Sequence, residues 1–598
     1  PRRPAWGCGD RPALGHSTRM PRSRLAAAAV AVSILVLGAA AASRPILDYD
    51  YFWHLATGDW ILQTGGVPRA DPFSYSAPGA RWIDLHWLFQ VGLHALYSLG
   101  GHQATRLAGA LLGLAVVGVT AASVWRADRP AVSGLALALL AVAAGSRFLV
   151  RPDTVSLLLA AVVLALLHRD ERSPDRRVWA IVPIQLLWAN VHGFQAVGLA
   201  FVGLAIAGEL ASPAFPGVPV RAERVRRLAA VLALSALAAL ANPNGLDGAL
   251  LPLRQLGMIG MAGGRGVFGQ AIEELRPTLA VLDLRTAAGI LPAFALGALA
   301  WVAMVLDRRR FSAFDALVWL ALAALALAAV RNLALFAVAA APIFARHANA
   351  WLDERPAAAR SGWSRAASAV TVAGIALAAG ALGAGAVSAM GGPRGSSSPA
   401  LAPFQYPEAA VDWIARERPP GPIYHRLGDG GYLIWRLWPR HRVLIDGRLE
   451  VFGEQRYVDF ELRGAAGPEG FQRLADRFGF GTALVHFSLF PDLSLVGWLA
   501  ARPDWRLVHL DEVAAVFVRV EPGRAPRWPA VDPASAFAPL DPEQHHPLDL
   551  WRRRSRVSIW AALGRRDLAR TLAEESVLRY RDPSLEAIRS WLAAQAGS

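Results

Sequence analysis

Two aspartates and a histidine stand close together directly after the first long apolar segment, in the stretch LDYDYFWHLATGDW at 47–60. Alternate side chains of an extended segment point the same way, so Asp48 and Asp50 would share a side. If a helix begins near Asp50, then His54 lies one turn further along the same face. A carboxyl group held partly out of water at a bilayer edge has a raised pKa and can act as a general base. The simpler alternative is that Asp50 only caps this helix.

The element that carries these residues is a long loop, 44–103, which starts with an amphipathic stretch at about 50–63. Aromatic and small residues recur on the side away from His54: Tyr49, Trp53, Ala56 and Trp60. Aromatic rings favour the boundary between membrane and water. We therefore predict a helix that lies on the membrane and turns its acids toward whatever the membrane helices enclose.

The composition is that of a membrane protein with many spans. Of the 598 residues 54% are hydrophobic, and they stand in blocks of about twenty, enough to cross about 30 Å of hydrocarbon as helix. All 61 basic residues are arginine, and they cluster at the ends of these blocks, so topology explains the net charge of +15 and no nucleic-acid partner is expected. The single cysteine, Cys8, excludes intrachain disulfides and cysteine-rich metal sites.

Length and apolarity predict about eleven spans. Their approximate positions are 25–43, 104–124, 131–149, 153–167, 178–190, 194–210, 228–241, 286–306, 312–329, 332–345 and 366–389. The first is interpreted as an uncleaved anchor rather than a signal peptide, and residues 1–19 could precede a translation start at Met20. Arginine-rich loops alternate with arginine-poor ones, which puts the N-terminus in the cytoplasm and the C-terminal part outside it. The expected location is the bacterial cytoplasmic membrane.

The predicted fold class is a polytopic α-helical membrane protein with a C-terminal extracytoplasmic α/β domain and a short helical tail. The α/β part alternates helices with short strands, among them HRVLID, and the tail resembles one tetratricopeptide-type hairpin. The predicted divisions are a basic cytoplasmic N-terminus (1–24), a transmembrane domain (25–389) with outer loops 44–103 and 242–285, a linker (390–404), the α/β domain (405–521), and a linker with the tail (522–598).

Several motifs resemble those of bacterial glycosyltransferases with the GT-C fold, the dolichyl-phosphate-mannose-mannosyltransferase-like proteins, in a branch with a D-x-D-x-x-W-H-L first loop. They are DYDYFWHLATGDW, WIDLHWL, SRFLVRPD, WANVHGF, ANPNG and GDGGYLIWRLWPRHRVLIDGR. The resemblance covers most of residues 25–521. It implies sugar transfer from a polyprenyl-phosphate-linked donor to an acceptor outside the cytoplasm, and it implies that a first-loop acid is catalytic. That role carries over to Asp50 or Asp48, with His54 beside them.

A lipid-phosphate leaving group calls for guanidinium groups close to the hydrocarbon. Arginines that stand on the outer side, against the positive-inside trend, are the candidates for binding the donor phosphate: Arg147, Arg151 and Arg331. The alternative for all three is that they snorkel or cap helices.

Further polar residues are weaker candidates for binding the acceptor or supporting the site: Asp84, His86 and His192. Two adjacent acids at 273–274 are interpreted as a solvated pair, and Asp446 with Arg448 as a structural turn first and an acceptor site second. No cofactor and no metal site are predicted, although the first-loop acids and His54 could bind a divalent ion.

The favoured hypothesis is an integral-membrane glycosyltransferase for hexosyl or pentosyl transfer. Its partners would be membrane lipid, a polyprenyl-phosphate-linked sugar, and an acceptor glycan, lipid or protein. Alternatives are a transporter or flippase of a lipid-linked intermediate, which would need charges within the spans, and a non-catalytic membrane scaffold.

Overall fold

The computed structural model describes most of the chain. The described residues are 28, 30–36, 38–39, 44–126, 128–214, 219–258, 266–283, 286–356, 398, 400–464, 466–488, 493–521, 523, 527–540 and 547–594. The predicted N-terminal segment 1–24, the predicted span 366–389, and parts of the span 25–43 and of the linker 390–404 lie outside these residues.

Helices dominate the first part of the described chain. They are α1 (Asp50–Thr64), α2 (Trp87–Val124), α3 (Pro130–Gly145), α4 (Pro152–Arg172), α5 (Ile181–Ala189), α6 (Gln195–Leu210), α7 (Ala222–Leu240), α8 (Gly245–Met258), α9 (Val267–Ala271), α10 (Ala287–Leu306), α11 (Ala313–Ala328) and α12 (Leu333–Asp353). Within the described residues, α2, α4, α10 and α12 are long and apolar enough to cross a membrane, and α7 with α8, bent by 105°, makes a broken fifth. The chain is a polytopic membrane protein, while the number of eleven spans stays a prediction.

Small residues let the membrane helices pack closely around α12. Its residues from Leu333 to Ala345 are buried without interruption. Neighbouring helices approach at glycines: a Cβ on Gly297 would overlap the ring of Phe336, and one on Gly208 would overlap the backbone of Phe314. Close approach at Gly and Ala is how helices associate where lipid removes the hydrophobic driving force.

Charged side chains cluster at the end of the bundle that is predicted to face the cytoplasm. Asp170 at the end of α4 pairs with Arg224 and Arg227 of α7 at 3.0 and 2.6 Å. Asp315 at the start of α11 contacts His347 of α12 at 3.0 Å. Both acids lie in the terminal turns of their helices, and each has at least one arginine partner, as burial requires.

The second part of the described chain contains helices and a four-stranded sheet. Its elements are α13 (Glu408–Glu417), β1 (Ile423–Tyr424), α14 (Leu427–Leu437), α15 (Leu449–Tyr457), α16 (Gly467–Phe478), β2 (Thr482–His486), α17 (Ser494–Ala500), β3 (Trp505–Leu510), β4 (Ala514–Arg519), α18 (Pro547–Ala562), α19 (Arg566–Tyr580) and α20 (Pro583–Ala594). The strand order is β1-β2-β4-β3, with β1 parallel to β2 and the other pairs antiparallel. Helices α18–α20 form the tail and have a small core of their own.

The predicted strand HRVLID is not a strand of this sheet. Its residue Val443 instead bridges to Ser74 of the first loop, and its N–H donates to the carbonyl of Phe73 at 3.0 Å. Strand propensity depends on the tertiary context of a segment. Here the first loop, rather than a strand of the sheet, is the hydrogen-bonding partner of this segment.

The first loop packs against the C-terminal domain, and the prediction that α1 lies on the membrane is wrong. Trp53 is buried, and Tyr49, Ala56 and Trp60 pack on the same core as α14 and the sheet. The apolar stripe of α1 therefore faces protein. This packing fixes the position of the helix that carries Asp50.

Candidate active site

A cavity of about 430 Å³ lies where the first loop, the membrane helices and the C-terminal domain meet. One wall is apolar and comes from α6, α8, α11 and α12, with Val197, Ala200, Leu251, Leu253, Leu325 and Leu335. The rest of the lining includes a group of polar side chains: Asp50, His54, His86, Arg151, Asp153, His192, Glu274, Arg331 and Glu450. A hollow that joins an apolar wall to convergent charges suits an amphiphilic ligand.

Asp50 reaches the cavity because it is the first residue of α1. Its Oδ1 accepts a hydrogen bond from Trp53 Nε1 at 2.9 Å, and its Oδ2 accepts one from an Arg151 NH2 group at 2.6 Å. Asp48, two residues earlier, accepts the N–H of Asp50 at 3.2 Å. The N-cap residue of α1 is Tyr49, so Asp50 does not have the capping role that the sequence offered as an alternative.

Asp48 lies behind Arg151 and does not line the cavity. Its Oδ2 is 3.1 Å from Arg151 Nε, but the contact lacks hydrogen-bond geometry. Burial raises the pKa of Asp48 from 3.8 to about 7, although the positive charge of Arg151 opposes the shift. The two first-loop acids thus share one guanidinium, as their alternating positions predict, but only Asp50 faces the hollow.

All three predicted phosphate-binding arginines converge on one carboxylate, that of Glu274. Arg147 is 2.6 Å from Oε2, Arg151 is 3.5 Å from the same oxygen, and Arg331 is 4.0 Å from Oε1. Arg147 also pairs with Asp153 in the first turn of α4. Burial raises the pKa of Glu274, but the three guanidiniums outweigh burial and lower this pKa from 4.5 to about 2.

Three imidazoles form a row along the cavity wall. The ring centroids of His54 and His86 are 5.2 Å apart, and those of His86 and His192 are 5.4 Å apart. The rings of His54 and Trp53 are tilted by 34° with centroids 3.6 Å apart, and His192 Nδ1 is 2.8 Å from Ser156 Oγ. Burial lowers the pKa of His54 and of His192, so both rings are neutral near pH 7 and can donate or accept a hydrogen bond.

Asp84 is a supporting residue and does not line the cavity. Its Oδ1 accepts the N–H of His86 at 2.9 Å and the side-chain amide of Gln90 at 3.1 Å. It therefore shapes the turn that presents His86. Among the described residues, no group of three His, Cys, Asp or Glu side chains is placed to hold a metal ion.

No protein-family model matches the sequence, and no curated protein matches it significantly. Among solved structures, the oligosaccharyltransferase of Archaeoglobus fulgidus in the apo form is similar, with a TM-score of 0.50 and 13% identity over 78% of this chain and 71% of that chain. ArnT from Cupriavidus metallidurans bound to undecaprenyl phosphate is similar over 85% of this chain and 100% of that chain, with a TM-score of 0.45 and 19% identity. The oligosaccharyltransferase is a membrane glycosyltransferase of the GT-C fold.

The chain has the GT-C fold. At 13% identity this likeness establishes the fold alone, because one fold can support different chemistries.

Three residues of the site were not recognised from the sequence: two acids and one glycine. Glu274 is not a solvated residue, since it is the common partner of the arginines. Glu450 follows the LIDGR segment and reaches the cavity from the C-terminal domain, where its carboxyl accepts from Trp82 Nε1 at 3.1 Å and burial raises its pKa. Gly447 lies against Asp50 and Trp53. Each acid has an arginine two residues away in the sequence, Arg276 beside Glu274 and Arg448 beside Glu450, so no local signal marks either of them as a residue of the cavity.

Proposed function

We propose that this protein is an integral-membrane glycosyltransferase that moves a sugar from a polyprenyl-phosphate-linked donor to an extracytoplasmic acceptor. The observation that carries the proposal is the juxtaposition of Asp50, Arg151 and Arg331 around a hollow with an apolar wall. A lipid-linked sugar cannot leave the bilayer, so its transferase needs reactive groups beside a surface that accepts the lipid chain. The wall formed by α6 and α8 suits the prenyl chain, and the arginines suit the phosphate.

In this mechanism an acceptor hydroxyl attacks the anomeric carbon of the donor sugar in a single displacement. Asp50 takes the hydroxyl proton as the new glycosidic bond forms, and the bond between that carbon and the phosphate oxygen breaks. Arg151 and Arg331 neutralise the charge that develops on the departing lipid phosphate, which is electrostatic stabilisation of a transition state. Arg151 pairs with Asp50 at 2.6 Å, so binding of Arg151 to the donor phosphate would free Asp50 to act as base.

Asp50 is assigned the role of base in preference to Asp48 because Asp50 lines the cavity and Asp48 does not. His86, His192 and Glu450 also line the cavity, and we assign them to binding acceptor hydroxyls. The proposed setting is a bacterial cytoplasmic membrane, with the N-terminus in the cytoplasm and the site on the outer face.

The test starts from deletion of the gene and mass spectrometry of envelope glycans and glycolipids, which identifies the product that is lost. Transfer is then measured in proteoliposomes for Asp50→Asn and for a matched control, Asp59→Asn, an exposed acid in the same helix. We expect Asp50→Asn to lower kcat by about 10²–10⁴, the usual contribution of a general base, and Asp59→Asn to change it less than twofold. Full transfer by a well-folded Asp50→Asn variant would refute the mechanism.

A further inference from the structure

One carboxylate occupies the place where the three outer arginines converge. The two oxygens of Glu274 are shared among Arg147, Arg151 and Arg331, at 2.6, 3.5 and 4.0 Å. An oxyanion surrounded by several guanidiniums is the arrangement in which arginines bind a phosphate group. Glu274 is therefore bound as a phosphate would be.

The charges of this cluster leave no net attraction for a second anion. Three guanidiniums meet four carboxylates, those of Asp48, Asp50, Asp153 and Glu274. Even when Asp48 is protonated, the other three carboxylates balance the three guanidiniums, so a phosphate that enters while they stay in place meets no net attraction. The anion site becomes attractive only when a carboxylate leaves it or is neutralised.

Glu274 is the carboxylate best able to leave. The side chains of Asp48 and Asp153 are 8% exposed, that of Asp50 is 21% exposed, and that of Glu274 is 29% exposed. Asp50 and Asp153 stand in the first turns of long helices, and Asp50 is also held by Trp53. Glu274 instead belongs to the short 3₁₀ turn Glu273–Leu275, and its three-bond side chain can swing toward the cavity that it lines.

We propose that Glu274 is a resident anion of the phosphate site, which holds the three guanidiniums in place when the site is empty and is displaced by the phosphate of a polyprenyl-phosphate lipid. This inference rests on the proposed function, because it takes a lipid phosphate as the ligand of the arginines. Glu274 is then a specificity-determining residue. Only a ligand whose phosphate binds the arginines more strongly than the Glu274 carboxylate does can displace that carboxylate. An uncharged polyprenyl lipid is therefore rejected.

The test is equilibrium binding of undecaprenyl phosphate to the full chain in detergent, with uncharged undecaprenol as the reference lipid. Glu274→Gln keeps the shape of the side chain and removes the competing charge. Glu273→Gln is the matched control, since Glu273 is the exposed neighbour in the same turn. We expect Glu274→Gln to bind undecaprenyl phosphate about tenfold more tightly than the wild type, which corresponds to 1.4 kcal/mol, and Glu273→Gln to bind it as the wild type does. Undecaprenol binding should not change.

Equal or weaker binding of undecaprenyl phosphate by a folded Glu274→Gln variant would overturn the inference and leave the proposed function standing. Failure of the wild type and of Glu274→Gln to bind undecaprenyl phosphate at all would overturn both. If Glu274→Gln does not fold, Glu274→Asp serves in its place. Its shorter side chain reaches fewer of the arginines, so tighter binding supports the displacement and unchanged or weaker binding contradicts it.

Discussion

Asp48 and Asp50 are separated by a single residue but occupy different surroundings. Asp50 has hydrogen-bond partners on both oxygens and faces the cavity. Asp48 is buried against Arg151, and its pKa is raised to about 7 by that burial. Burial favours the protonated carboxyl, so the isosteric amide mimics the form of Asp48 that burial favours.

We predict that Asp48→Asn keeps the fold and changes the pH dependence of stability. A folded-state pKa of about 7, above the ordinary 3.8, means that the folded protein binds this proton more tightly than the unfolded chain. The stabilisation is complete below about pH 4 and is lost as the pH rises through 7. Thermal melting between pH 5 and 8 should show the wild type losing about 2 °C or more relative to Asp48→Asn over that range. Asp59→Asn should follow the wild type, and parallel curves for wild type and Asp48→Asn would contradict the assigned pKa.

At the residue scale, the sequence predicts those site residues that are close together along the chain. Asp48, Asp50 and His54 could be recognised from one short stretch. The partner of Asp50, Arg151, is 101 residues away, and Glu274 is 127 residues from Arg147. The arginines were found because they break the positive-inside pattern, but nothing local in the sequence pairs them with Glu274. A carboxylate far along the chain looks solvated until tertiary packing gives it partners.

At the level of elements, the start of α1 is located by two glycines of the C-terminal domain. A Cβ on Gly431 would meet the carbonyl oxygen of Tyr49 at 2.6 Å. A Cβ on Gly447 would overlap Asp50 Oδ1 and would lie 3.1 Å from Trp53 Nε1. The first clash is with backbone, which cannot yield without moving the helix. The second is mainly with the end of a side chain, which can yield by moving the carboxylate.

We predict that Gly447→Ala displaces the Asp50 carboxylate while the protein stays folded. Misplacement of a reacting group by about 1 Å costs on the order of 10²-fold in rate, so transfer in proteoliposomes should fall by about that factor. Gly66→Ala is the control, because a Cβ at Gly66 in the first loop meets no atom within 4 Å. Wild-type activity of Gly447→Ala would show that the position of Asp50 is not critical.

The pattern of apolar residues predicts that a helix or strand exists better than it predicts what that element packs against. The apolar stripe of α1 looks the same whether lipid or protein covers it, and the structure shows α14 in that place. Likewise, the predicted span 104–124 is the second part of a longer helix, α2, that is broken at Gly100 and Gly101. The break is visible in the sequence as a glycine pair, and Gly101 has a φ of +62°, which glycine adopts without strain.

At the scale of the whole molecule, one buried arginine joins the first loop to the C-terminal domain. Arg448 donates to Asp446 at 2.7 and 2.6 Å and to Asp71 of the loop at 2.7 Å. Its guanidinium also lies over the rings of Trp82 and Phe73. These contacts give the LIDGR segment a structural role, as the first interpretation of that motif predicted.

We predict that Arg448→Lys separates the loop from the domain. A lysine cannot reproduce the forked contacts, and breaking a buried ion pair leaves charge without a partner. The free energy of unfolding should fall by about 3 kcal/mol or more, read as a lower melting temperature and faster proteolysis of the first loop. Arg442→Lys, an exposed arginine in the same segment, should melt within about 1 °C of the wild type. Equal melting temperatures of Arg448→Lys and Arg442→Lys would show that Arg448 does not hold the first loop to the C-terminal domain.

The segment just before Asp50 is tied to a part of the chain that is made much later. Ile46 exchanges backbone hydrogen bonds with Ala400 and Ala402, and the Tyr406 hydroxyl donates to the carbonyl of Asp48 across 358 residues. During synthesis the loop leaves the ribosome before its partners, which emerge only after the helices up to α12. A truncated chain that inserts correctly into the bilayer but lacks residues 400–406 would therefore lack the contacts that hold the segment before Asp50.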